Sequence, residues 1–132
     1  MDLNMYTGAI TEPQVKEIRT AYYADGVIDA DEFEAFGALL DRVQDEKNHH
    51  SFRGLAGDIA CSFLLDDENT PNELDPDELH VLRDQIFEDG TMNKLEAWQV
   101  LAIKAAATKL ADGFEALLTA ALDVLDFAAV TA

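Results

Sequence analysis

Residues 18–32 read IRTAYYADGVIDADE, and residues 82–96 read LRDQIFEDGTMNKLE. The second string repeats the first at a constant offset of 64 positions. Ile18-Arg19 matches Leu82-Arg83, Tyr22-Tyr23 matches Ile86-Phe87, and Asp25-Gly26 matches Asp89-Gly90. Ile28-Asp29 then matches Met92-Asn93, Glu32 matches Glu96, Phe36 matches Val100 and Leu39 matches Ile103, all without a gap. In each copy apolar residues recur at helical spacing, a D-G pair intervenes, and helical spacing resumes. Glycine relaxes a left-handed turn after a helix, and D/N-x-x-E is a capping box for the next one. Each copy therefore predicts helix, tight DG turn, helix.

The same punctuation continues on both sides. Thr11-Glu12-Pro13-Gln14 is a capping box with proline just inside the start, followed by Val15, Ile18 and Tyr22. Asp29-Ala30-Asp31-Glu32 opens a second helix with the stripe Phe33, Phe36, Leu40 and Val43. Gln44 to His50 is a polar loop or frayed end, and Ser51 opens a third helix. There Phe52, Leu55, Ile59 and Phe63 share one face, while Gly54, Gly57, Cys61 and Leu65 occupy the other. A helix apolar or small nearly all round is a buried one, so it is expected at the centre of the core.

Residues 66–75 (DDENTPNELD) form an acidic loop, and Asp75-Pro76-Asp77-Glu78 caps a fourth helix carrying Leu79, Leu82 and Ile86. Asn93-Lys94-Leu95-Glu96 starts the fifth, with Ala97, Val100, Leu101 and Lys104 behind it. Asp112-Gly113-Phe114-Glu115 starts the sixth, with Phe114, Leu117, Leu118, Ala121, Leu122 and Leu125 as its stripe. No stretch alternates with period two, so no strand is predicted. The expected fold is all-α, a compact bundle of about six helices built from two pseudo-repeated helix–DG turn–helix units. Neither half buries its own face alone, so residues 1–132 read as a single domain with pseudo-repeats at about 11–65 and 75–130.

The chain has 132 residues, 9 Lys and Arg against 27 Asp and Glu, and a formal net charge of −18. At 48% hydrophobic it is too apolar for a disordered acidic tail. Like charges repel, which argues against direct contact with nucleic acid or an anionic membrane. A single cysteine makes no intrachain disulfide. The N-terminal residues lack the basic-then-apolar order of a signal peptide, and the most apolar stretch, 114–130, is interrupted by Glu115, Asp123 and Asp126. A soluble, cytoplasmic protein is the expectation.

The DG turns have two readings. Set on the calcium loop of an EF-hand, Asp25, Asp29 and Glu32 take the fifth, ninth and twelfth positions, and Asp89, Asn93 and Glu96 take the same places in the second copy. Calcium wants six to eight oxygens. The first and third positions are Ala21 and Tyr23, then Gln85 and Phe87, so the early ligands are missing in both copies. The other reading gives Asp29/Glu32 and Asn93/Glu96 to helix capping and leaves a weak cation site as the alternative.

The repeated Ala24-Asp25-Gly26 and Glu88-Asp89-Gly90, each followed by Ile28 or Met92 and then Glu32 or Glu96, resembles the TerB-like (tellurite-resistance) helical proteins. It is also similar to degenerate paired EF-hands. The resemblance covers roughly residues 14–45 and 78–105. It implies paired helices, divalent-cation binding by Asp25, Asp29, Glu32, Asp89, Asn93 and Glu96, and an accessory or interaction role rather than catalysis.

Half of the net charge lies in residues 66–89. Ten acids, Asp66, Asp67, Glu68, Glu73, Asp75, Asp77, Glu78, Asp84, Glu88 and Asp89, face one base, Arg83. Such an array is either a solvated face that keeps the protein soluble or a docking surface for something basic. A reaction is not expected. Cys61 has no histidine at helical spacing, His49 and His50 lie in a polar loop far from His80, and no glycine-rich phosphate loop occurs. Trp98, Tyr22 and Tyr23 fit core or rim positions. The function expected is a non-enzymatic acidic binding module for a basic protein partner, with no cofactor and with calcium as the alternative. The alternative is nucleic-acid mimicry, as in small phage inhibitors of anti-CRISPR or anti-restriction type, aimed at a nucleic-acid-binding complex.

Overall fold

The computed structural model describes residues 3–6, 8–24, 26, 28–43, 47–65, 72–87 and 91–125, with the side chain of Asn4 excepted. After a 3-10 turn at Leu3–Met5 come α1 (Glu12–Tyr22), α2 (Ala30–Val43) and α3 (Ser51–Leu64). A two-residue strand β1 (Glu73–Leu74) precedes α4 (Pro76–Ile86) and α5 (Lys94–Ala106). A second, β2 (Lys109–Leu110), precedes α6 (Phe114–Leu125). The all-α class and the helix count are as the sequence predicts.

The repeat holds in three dimensions. The bounds of α1 and α4 differ by 64 residues at both ends. Their ends close alike: Tyr23 N–H donates to the Arg19 carbonyl at 3.0 Å, and Phe87 N–H to the Arg83 carbonyl at 2.9 Å. Gly26 follows at φ +77°, a conformation that favours glycine. The next helices start alike as well. Asp29 Oδ1 accepts the Glu32 N–H at 2.7 Å while Glu32 Oε1 accepts the Asp29 N–H at 3.1 Å. Asn93 and Glu96 exchange the same two bonds at 2.8 and 2.9 Å. Each box satisfies two backbone donors that a helix start would otherwise leave bare.

The pair β1–β2 is parallel, with Leu74 opposite Leu110, and was not predicted. Two residues are too few for alternation to show. Their pairing answers a local need instead, because Leu74 is buried and its backbone must find partners. Thr108 N–H reaches the Asn72 carbonyl at 2.7 Å, and Ala111 N–H reaches that of Leu74 at 2.8 Å. In the first unit the matching residue, Ile10, is also buried, and its carbonyl accepts the His49 N–H at 2.8 Å.

The third helix is central, as its composition predicts. It packs on α1, α2 and above all α5, while α5 also packs on α6. Phe36, Phe52, Ile18, Leu55, Ile59, Leu82 and Phe114 are fully buried. Each such side chain contributes roughly 1.5–3 kcal/mol by leaving water. Phe36 sits between Tyr22 and Phe52, with ring centroids 5.8 and 5.9 Å away. Close approach of α3 to α5 depends on Gly57: a Cβ there would meet the Ala102 methyl at 2.6 Å.

Candidate acidic docking face

The acids singled out by sequence divide into four groups. Asp66, Asp67, Glu68 and Glu88 lie outside the described residues, as do Asp25 and Asp89. Asp75 and Glu78 cap α4: Asp75 Oδ1 accepts the Glu78 N–H at 2.8 Å and Glu78 Oε1 accepts the Asp75 N–H at 3.0 Å. Glu73 stands in β1 in register with Lys109. Asp77 and Asp84 are exposed on α4. They stand seven positions apart, so they lie two turns apart along one face, with His80 and Val81 between. His80 Nε2 is 3.2 Å from the Asp84 carboxylate, and both side chains are exposed.

Beside this face is a cleft of about 380 Å³ lined by Ala30, Phe33 and Glu34 of α2, Phe63 of α3, and Val81, Asp84 and Gln85 of α4. Phe33 and Phe63 stack with ring centroids 4.7 Å apart. Val81 is 43% exposed. The apolar part of the cleft is thus bordered by two carboxylates, Glu34 and Asp84. Helical spacing places Phe63 on the face of α3 that it shares with Phe52, Leu55 and Ile59, and Val81 belongs to no stripe of α4. The available signal was a lone apolar residue set off the Leu79/Leu82/Ile86 stripe between Asp77 and Asp84.

The candidate cation ligands that the structure describes are engaged in capping. Asp29 and Glu32 bond one another's backbone, and so do Asn93 and Glu96, which are both buried. Asn93 Nδ2 also donates to Asp41 Oδ1 at 3.0 Å. A cation recruiting these oxygens would compete with the caps. Among the described residues no group of three or more His, Cys, Asp or Glu is placed to hold a metal ion.

Other reactive groups occupy structural positions. Burial, with Asp58 nearby, pushes the Cys61 thiol up to about 11, so it is protonated at neutral pH. His49 Nε2 approaches Glu12 at 3.4 Å, and its Nδ1 shares a 2.7 Å hydrogen bond with Ser51 Oγ. Trp98 lies half-buried beneath the Arg53 guanidinium, 4.8 Å from its ring centroid. Among the described residues no helix is long and apolar enough to cross a membrane. No family model, curated protein or solved structure matches the chain.

Proposed function

We propose that the chain is a non-enzymatic binding module whose acidic surface docks a basic protein partner in the cytoplasm. The observation that carries this reading is the α4 face, where Asp77 and Asp84 flank the exposed Val81 beside an apolar cleft. Carboxylates alone would suit a solvated surface. Carboxylates around exposed apolar area fit a partner, because the apolar part supplies affinity and the charges supply steering and register. The excess of acids continues through the preceding segment, where Asp66, Asp67 and Glu68 add three more to the sequence.

Calorimetry against a synthetic basic amphipathic helix tests the reading. Binding should weaken steeply as salt rises, and neutralising Asp66, Asp67, Glu68, Asp75 and Asp77 together, as Asn or Gln, should abolish it. Asn at position 75 preserves a good cap, so the fold is retained. Binding that survives the five substitutions would overturn the proposal. Displacement of duplex DNA from a basic complex by the chain would favour mimicry of a phosphate backbone over simple docking. Heat on adding calcium, lost in Asp29→Asn/Glu32→Gln, would add a cation to the mechanism.

A further inference from the structure

We infer that the cleft between α2, α3 and α4 seats an arginine-bearing helix of the partner. This inference rests on the docking reading above and specifies what docks.

The argument comes from the repeat. Glu34 and Ala38 of α2 correspond to Trp98 and Ala102 of α5. On α5 this strip is half-buried under α3, which brings Gly57 against Ala102 and places the Arg53 guanidinium over the Trp98 ring. On α2 the strip Ala30, Glu34, Ala38 is exposed. The molecule thus contains one worked instance of how this face is covered: a crossing helix with a small residue for close approach and an arginine laid on an aromatic ring.

The cleft takes in Ala30 and Glu34 of the open strip, with Glu34 in the place that Trp98 holds on α5, and its ring comes from α3 instead. Half-buried Phe63, backed by the buried ring of Phe33, provides aromatic surface, and Ala30 and Val81 provide apolar walls. Glu34 and Asp84 provide the anionic border, and no lining residue is basic. A guanidinium is planar and weakly hydrated, so it lies on a ring and bonds a carboxylate through its fork at the same time. An ammonium is compact and strongly hydrated, and loses more on entering an apolar cleft. Charge complementarity with Glu34 and Asp84 selects a cation, and the aromatic surface selects arginine among cations.

Two synthetic amphipathic helices of equal charge, one with arginines and small residues on its basic face and one with lysines in the same places, serve as probes. The arginine helix should bind roughly fivefold tighter to the intact chain. Glu34→Gln/Asp84→Asn should weaken it roughly tenfold and remove the preference, with circular dichroism and melting unchanged because both residues are exposed. Amide shifts on adding N-acetyl-arginine amide should centre on Phe33, Glu34, Phe63 and Val81. Equal binding of the two helices, or a preference that survives the double substitution, would overturn the inference. If equal binding still disappears when Asp66, Asp67, Glu68, Asp75 and Asp77 are neutralised, docking stands and only the arginine seat fails. If neither helix binds at low salt, both fall.

Discussion

Helices α2 and α5 hold the same place in their units and begin with the same reciprocal cap, yet their surroundings differ. Asp29 and Glu32 are not buried, whereas Asn93 is 6% and Glu96 1% exposed. The strip led by Glu34 faces solvent, whereas the strip led by Trp98 lies beneath α3. A repeated sequence has thus produced similar local structure and dissimilar packing. The cause is long-range packing: the third helix of the first unit covers the middle helix of the second, whereas Ala30, Glu34 and Ala38 of the first unit's own middle helix stay exposed. Local signals copy with the repeat, but cover depends on a neighbour.

The largest expected effect tests that cover. Gly57→Leu should destabilise the fold by about 3 kcal/mol, because the added atoms meet the Ala102 methyl with little room to shift. The smaller Gly57→Ala should lose less, and Ala102→Gly in that background should restore part of the loss. Ala38→Leu, at the exposed counterpart of position 102, should stay within about 0.5 kcal/mol of the parent. Thermal melting of the set checks this, and equal losses at 38 and 57 would deny the difference between the units.

The caps come next. Asn93→Ala should lose about 2 kcal/mol and Asp29→Ala about 1, since Asn93 is buried and also donates to Asp41. Urea titration of the two variants measures the gap. Equal values would mean that burial of the second cap adds nothing.

Alkaline pH should expose a further effect in the first unit. Burial raises the Cys61 thiol from its ordinary value of 9.0 to about 11, and burial likewise raises the hydroxyl of Tyr22, with Glu32 and Asp29 adding to it. The unfolded chain therefore loses these protons first, and stability must fall as pH rises through the window from about 9 to 11. Urea midpoints across that window should decline, and Cys61→Ala should make the decline shallower.

The smallest changes concern charge and helix propensity. Melting temperature should rise modestly with salt, because the repulsion of a −18 chain is screened; a flat response would show that the carboxylates are too dispersed to strain the fold. Gly54→Ala should stabilise by about 0.5–1 kcal/mol, since nothing lies within 4 Å of the new methyl. Opposite signs at positions 54 and 57 would show that α3 has one free side and one committed side.

Much of this architecture is legible in the sequence. Caps at Asp29, Asp75 and Asn93 and the stripes behind them locate helices because they are local interactions between residues three or four apart. The all-round apolar character of 51–65 correctly places α3 at the centre. What the sequence does not disclose is long-range. Nothing near Glu34 or Trp98 tells which of the two will be covered. The stacking of Phe33 on Phe63 joins residues that helical spacing assigns to separate stripes. The β1–β2 pairing is too short to leave a pattern. For the candidate site, the acidic segment was legible as composition, but its carboxylates serve different ends. Asp75 and Glu78 secure a helix start, and Asp77 and Asp84 remain on the surface beside Val81.

The placement of α5 has one more consequence. It is held between α3, from one half of the chain, and α6, from the other. Neither half contains a complete enclosure for it. Cutting the chain in the segment between α3 and β1 should yield two fragments that are each largely unfolded when separate and regain helicity when mixed. Such a split pair would convert the meeting of two polypeptides into a folding event.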